Sequence, residues 1–513
     1  MAQIPGTPEM ESRNCPEIVP ATTMESSLLV DGGERSDINE QPRWFTPTRL
    51  LTLFCLINML NYLDRGVIAS NGVNGAPGDP GCLEHEACFS GSGIQGDFKL
   101  SYFQDGVLSS AFMVGLVVAS PIFANLSKKF NPFRLIGIGL SVWTFATAGC
   151  GFSVDFWSIT SFRMLVGVGE ASFISLAAPF IDDVAPPAQS SAWLALFYMC
   201  IPVGIALGYV FGGVVGGSLG WRSAFWIESL LMLPFAIFGF MSKRIHLKGA
   251  TQKLACLEIG SQRFLCSLVP VAYRSRSFGV ASEVKGLLDD CKKLAMNRLY
   301  LMNVLGYITF NFVLGAYAYW GPKAGQAIYS MENADLVFGV VTILSGILGT
   351  VVGGIFLDYL GSTIRNGFKL LAVSTALGAT MCLFAFLSTS LAVFIPLFAI
   401  GEFFLFATQG PVNFVTLRCV TPVLRPLSMA MSTVVIHVFG DVPSAPIVGA
   451  FQDWLQNWRL TTLGLTCIFF LATAIWASGI AIAPRNGDRG IEVTPDLHQP
   501  GSKSQEAPLL TNE

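Results

Sequence analysis

Twelve apolar runs, each about 20 residues or longer, leave this chain few folds to choose from. They lie at 47–70, 103–126, 133–151, 155–181, 189–213, 221–241, 298–320, 335–357, 368–388, 391–417, 427–450 and 459–482. A helix of ~20 residues crosses the ~30 Å of a bilayer's hydrocarbon and satisfies its own backbone hydrogen bonds, so an all-α polytopic membrane protein is expected. Composition agrees. The 513 residues are 52% hydrophobic and 13% charged, with a mean hydropathy of +0.56, where a soluble domain carries about 25% charged residues.

Orientation follows from Lys and Arg, which concentrate on the cytosolic side of membrane proteins. Of 31 such residues, Lys99, Arg222, Lys323 and Arg459 fall on odd-numbered loops and Arg65 and Arg163 within spans, leaving 25 for even-numbered loops and termini. Both termini are therefore expected in the cytosol. The polar head at 1–43 has no short apolar core before a cleavage site and reads as a disordered cytosolic tail, as does 484–513. Between them lie six spans at 44–241, a basic cytosolic linker at 242–297, and six more spans at 298–483. Six plus six is the arrangement of a secondary transporter built from two repeats, expected here as a monomer.

Cys82 and Cys88 sit on the first non-cytosolic loop, six residues apart, where an oxidising lumen favours a disulfide. After the eighth span, Gly354, Asp358 and Gly361 have the spacing G-x-x-x-D-x-x-G and precede Arg365 and Lys369. Glycine allows close helix approach, and a carboxylate at the membrane edge engages helix termini and basic groups, so these residues read as a conformational latch. The corresponding loop after the second span has Ala124 and Lys128 at the first two of these positions. In the fifth span, Gly204, Gly208, Gly212 and Gly216 form one close-packing face, with the glycines of the eighth span as expected partner.

Ionisable residues inside the spans are the strongest functional signal. A central Asp or Arg costs roughly 2.5–3.5 kcal/mol on insertion scales, so NYLDRG, residues 61–66, must turn Asp64 and Arg65 away from lipid. Adjacent helical residues diverge by about 100°, so each needs its own partner. Asn58, Asn61 and Arg65 share a face expected to line an interior cavity with Arg163. Arg163 and Glu170 lie seven apart in the fourth span, about 10 Å along its axis, and are free to meet other helices. Asp64 with Arg163 is the natural unlike pair. His437 and Asp441 share a face of the eleventh span, while Glu228 and Glu402 read as groups near membrane edges. A carboxylate held by a movable arginine takes a proton when a substrate anion draws the arginine away, so Asp64, Arg65, Arg163, Glu170, His437 and Asp441 are the candidates for proton-coupled transport.

The stretches NMLNYLDRG, GIQGDFKLSYFQDGVLSSAFMVG, RMLVGVGEASF and IHVFGDVPSAPIVG together resemble the Spinster branch of the major facilitator superfamily, and its plant members in particular. The resemblance covers roughly residues 44–483. It implies an alternating-access transporter whose central cavity takes sphingosine phosphate, lysophospholipids or related amphiphiles. It also links Asp64, Arg65, Arg163 and Glu170 to proton sensing and transport, matches His437 to the family's eleventh-span histidine, and points to a late endosomal, lysosomal or vacuolar membrane. Two other readings stay open: a carrier of a small organic anion or sugar, which would favour Gln- and Asn-rich spans, and a non-transporting sensor or scaffold binding partners through 242–297. No nucleophile motif, metal-ligand cluster or phosphate loop stands out, so no enzyme, cofactor or nucleic-acid partner is expected.

Overall fold

The computed structural model describes residues 46–78, 91–126, 130–186, 190–241, 280–421 and 424–484. Twelve helices within these ranges are long and apolar enough to cross a membrane: α1 (Pro47–Ala69), α2 (Tyr102–Phe123), α3 (Pro132–Gly151), α4 (Phe156–Ala177), α5 (Leu196–Leu219), α6 (Trp221–Met241), α7 (Arg298–Tyr329), α8 (Ala334–Tyr359), α9 (Ile364–Leu387), α10 (Leu391–Arg418), α11 (Leu427–Leu455) and α12 (Trp458–Ile482). Cys82 and Cys88, and the tails expected at 1–43 and 484–513 apart from Pro484, lie outside the described residues. The stretch expected as a linker contains a helix, Val280–Met296.

Local chemistry sets the helix starts. Thr46 caps α1 by accepting the Arg49 N–H at 3.3 Å, with Pro47 in the first turn where its missing N–H costs nothing. Asn131 and Pro132 repeat the device at α3. Asp155 and Ser158 close a reciprocal capping box at α4. In α5 and α11 one turn widens to π geometry, at Gly212–Gly216 and His437–Asp441, each placing an extra residue in the helical repeat.

Packing follows one plan twice. In the first half α1 lies on α5, α2 on α4, and α3 on both α4 and α6; in the second, α7 lies on α11 and α12, α8 on α10, and α9 on α10 and α12. The halves meet mainly along α2 with α11 and α5 with α8. Large apolar side chains such as Phe145, Trp157, Leu230, Ile355 and Leu471 remain exposed on the outside. In water such a surface would aggregate; in a bilayer it faces acyl chains.

Two sequence expectations change. The glycine face of α5 packs on α1 rather than on α8. A Cβ at Gly66 would collide with the Ile205 carbonyl oxygen, and one at Gly208 with that of Leu63, so the backbones touch directly. Of the α8 glycines, Gly346 meets Pro202 of α5, while Gly349 and Gly353 meet Phe403, Phe406 and Ala407 of α10. Gly66→Ala is therefore expected to cost about 1–3 kcal/mol through overpacking, read as a lowered melting temperature of the detergent-solubilised protein. The second change is α7, which continues through Gly321-Pro322 to Tyr329 and carries Lys323 inside the helix instead of on a loop.

Candidate functional site

Asp64 and Arg65 leave α1 in different directions, and α4 supplies a partner to each. The Arg163 Nη1 donates to both Asp64 oxygens, at 2.8 and 2.9 Å, with both residues at most 1% exposed. The Arg65 Nη2 donates to Glu170 Oε1 at 2.7 Å. Seven residues of α4 separate the two partners, so the pairs stack along the α1–α4 seam. Phe112 of α2 stands against both guanidinium groups, 4.8 Å from Arg65 and 5.3 Å from Arg163, and Tyr62 lies 4.4 Å below Arg65. Such cation–π contacts stabilise a charge without neutralising it. Among the described residues the Nε of each arginine and Oε2 of Glu170 have no hydrogen-bond partner, which leaves hydrogen-bonding capacity for another group.

Arg65 and Arg163 both reach a cavity of about 800 Å³ between the halves. Its wall is rich in aromatics, including Tyr209, Tyr317, Phe338, Phe398 and Phe406. Among the described residues the two arginines, both from the first half, are its only cationic lining residues; its two acidic lining residues, Glu402 and Asp441, come from the second. Glu402 of α10 and Glu228 of α6, expected near membrane edges, are both buried inside the bundle, and Glu402 Oε1 has no hydrogen-bond partner among the described residues. Asp441 Oδ2 meets His437 Nδ1 at 2.6 Å across the π turn. Asn58 and Asn61, expected in the cavity wall, are absent from the lining. Both are buried in the first half, and the Asn58 Nδ2 donates to the Phe197 carbonyl of α5 at 3.0 Å.

The end of the bundle where α1 finishes is closed by bonds between the halves. Lys323 Nζ of α7 donates to Asp105 Oδ2 of α2 at 3.0 Å, to Gln95 Oε1 at 2.6 Å and to Asn74 Oδ1. Asp105 Oδ1 also accepts from Asn74 Nδ2 and from the Tyr319 hydroxyl, each at 2.8 Å. All five residues are buried. Two further carboxylates hold main-chain amides across the halves: Asp335 of α8 accepts from Asn71 N at 3.0 and 3.1 Å, and Asp453 of α11 from Tyr102 N and Phe103 N at 2.9 Å each. The cavity lining extends the other way, through Gln409, Asn413, Met429 and Thr433, toward the end where α1 begins.

Sequence reasoning missed the Lys323 cluster. Its signal was available, because an ionisable residue inside a span is functional by default, but Gly321-Pro322 reads as the end of a helix. The latch residues are present without an inter-helix bond. Asp358 is exposed and accepts from Ser362 Oγ at 2.7 Å, and Gly361 turns the chain at φ +76°. Among the described residues Asp358 forms no ion pair.

The Major Facilitator Superfamily profile matches residues 54–440. The chain is 59% identical over 451 residues to the Probable sphingolipid transporter spinster homolog 2 of Arabidopsis thaliana, covering 88% of this chain and 90% of that protein. It is 28% identical to the Sphingosine-1-phosphate transporter SPNS2 of Xenopus tropicalis, over 82% and 80% of the two chains. Among solved structures, the crystal structure of a bacterial homolog to the human lysosomal transporter Spinster, inward-facing and unoccupied, superposes with a TM-score of 0.66 at 16% identity. It covers 85% of this chain and 97% of that one.

Proposed function

This chain belongs to the major facilitator superfamily, in its spinster branch, and on that premise we propose that it carries sphingoid phosphates and related lysophospholipids by alternating access, coupled to protons. The observation that carries the reading is the two-signed cavity, with Arg65 and Arg163 on one wall, Glu402 on the other and aromatic rings between them. A sphingoid phosphate presents an anionic phosphate, a nearby ammonium and one long hydrocarbon chain. Arg65 offers the phosphate charge-assisted hydrogen bonds. Glu402 offers the ammonium a carboxylate, and Phe338, Phe398 and Phe406 offer the chain an apolar channel. A small organic anion or sugar leaves most of that aromatic wall unused.

Proton coupling follows from the arginine partners. A phosphate that draws Arg65 toward itself strips Glu170 of its only cation, and a buried carboxylate without a partner takes up a proton. Arg163 and Asp64 form the second such unit, and His437 with the cavity-lining Asp441 a third pair, in the second half. With the basic loops in the cytosol, both termini are cytosolic, and the conformation described is inward-facing, closed on the non-cytosolic side by Lys323, Asp335 and Asp453. The latch at Gly354, Asp358 and Gly361 is disengaged in this state and forms when the cytosolic side closes. The protein works as a monomer in a late endosomal, lysosomal or vacuolar membrane, where a standing proton gradient is available.

Purified protein in liposomes, offered labelled sphingosine phosphate and lysophosphatidylcholine with and without a pH gradient, tests this. Gradient-dependent movement is expected, and Asp64→Asn removes the gradient dependence. Arg65→Ala raises the half-saturating phosphate-lipid concentration about 10- to 100-fold, the equivalent of losing a charge-assisted hydrogen bond of about 1.5–3 kcal/mol. No movement of any lipid overturns the substrate reading. Movement indifferent to the gradient overturns proton coupling alone.

A further inference from the structure

Besides Asp105, which Lys323 holds, the described residues bury three carboxylates in the first half, Asp64, Glu170 and Glu228, against two arginines, the buried Arg163 and the partly buried Arg65, and the surplus acid is Glu228 of α6. It is 1% exposed, and neither of its oxygens has a hydrogen-bond partner among the described residues. The cations are both taken: Arg163 by Asp64 at 2.8 and 2.9 Å, Arg65 by Glu170 at 2.7 Å. α6 is pinned to α3 beside this position, since Ser229 Oγ donates to the Thr144 carbonyl at 3.0 Å. Asp64 from α1, Cys150 from α3 and Arg163 from α4 are the titratable and charged groups that act on Glu228 or on which it acts. An ionised carboxylate with no bond and no cation of its own is not sustained in so apolar a core. The side chain therefore belongs there with its proton on.

We propose that Glu228 is a second proton site of this core and that Arg163 exchanges partners between Asp64 and Glu228. In the conformation described, Arg163 holds ionised Asp64 and the proton sits on Glu228. In the other state Arg163 holds ionised Glu228 and the proton sits on Asp64. The step breaks one O–H bond on Glu228 and forms one on Asp64, and the set keeps one cation, one anion and one neutral acid throughout. No uncompensated charge is created in the apolar core, so the proton crosses from α6 to α1 without the penalty that an isolated buried carboxylate carries. Arg163 is built for the exchange, because it grips Asp64 through Nη1 alone and its Nε is unbonded. Glu228 does not itself line the cavity, whereas Arg163 does, so it acts on transport through Arg163, as a positioning and proton-holding residue.

The proposal deepens the proton-coupled reading, and its test uses no lipid substrate, so the two fail separately. Infrared spectra of the purified protein in nanodiscs at neutral pH, in H₂O and D₂O, report the C=O stretch of protonated carboxyl groups. The expected result is a band lost in Glu228→Gln, an isosteric change, and kept in Glu402→Gln. Asp64→Asn removes the same band although Asp64 is not its source, because Glu228 then ionises to pair with Arg163. In Asp64→Asn with Arg163→Met the cation is gone and the band returns. If Asp64→Asn does not fold, Asp64→Ser takes its place. A band that survives Glu228→Gln overturns the protonated state; a Glu228 band untouched by Asp64 replacement overturns the exchange.

Discussion

Arg163→Met is expected to abolish transport and to destabilise the protein by about 3–5 kcal/mol, the cost of leaving one member of a buried ion pair alone. Asp64 is fully buried, and its two hydrogen bonds from Arg163 are the only ones it receives among the described residues. Without the guanidinium the buried carboxylate keeps no hydrogen-bond donor among the described residues. The discriminating comparison is Asp64→Asn with Arg163→Met, which removes both charges. It recovers most of the melting temperature, because a neutral amide costs far less to bury than a charge. Transport stays absent, because the proton-accepting acid and its movable cation are both gone. A single variant that melts and transports like the native protein would mean that the pair is idle.

The second large effect belongs to Lys323→Met. Lys323 is the only cation in the five-residue cluster that joins α7 to α2, and removing it leaves Asp105 with the hydroxyl of Tyr319 and the amide of Asn74. Hydrogen bonds to charged groups contribute about 1.5–3 kcal/mol each, so losing even one moves the balance between the two orientations of the halves by about 10- to 100-fold. The measurement is the rate at which an impermeant thiol reagent, applied from the side where α1 finishes, labels Ser109→Cys in a cysteine-free background. Ser109 lies on α2 in the cavity wall, screened from that side by the cluster. Labelling accelerates in Lys323→Met, and the exchange Asp105→Lys with Lys323→Asp slows it again. An unchanged rate in the single variant would show that Asp335 and Asp453 close this end on their own.

The sequence made the Asp64–Arg163 pair legible for a simple reason. Adjacent charges on a helix must diverge, an apolar span cannot leave either facing lipid, and Arg163 is the unlike charge inside another span; Glu170 was only free to meet another helix, and its pairing with Arg65 is read from the structure. The twelve helices were legible because crossing hydrocarbon demands a run of apolar residues that nothing else in a chain imitates. Depth within the bundle was not legible. Glu228 and Glu402 sit in spans whose hydropathy is nearly the same on every side, so nothing local tells a buried acid from one at a rim. The end of α7 was misread because Pro322 ends helices in water, whereas in a membrane bundle neighbouring helices compensate for the freed backbone groups. The partner of α5 was hidden for another reason: its face is a conspicuous row of glycines, but α1 answers it with Gly66 and with main-chain oxygens of ordinary residues, and the short turn after α1 adds Gly72.

The π turn at His437–Asp441 bears on how α11 should be read as a string of letters. A turn that absorbs one extra residue lets the two flanks of the helix keep their facing while the count between them runs one too long. A helical wheel drawn through 427–455 in one piece therefore places everything after Asp441 about 100° from where it is. It would turn Ala445 and Gly449, which abut Gly106 and Tyr102 of α2, away from the first half. Two shorter wheels, one ending and one beginning at the widened turn, put the cavity-lining Met429 and Thr433 and the α2-facing Ala445 and Gly449 each on its own side. α11 is in effect two phrases with a one-letter stutter between them, and the stutter falls on the histidine and aspartate that face each other across it.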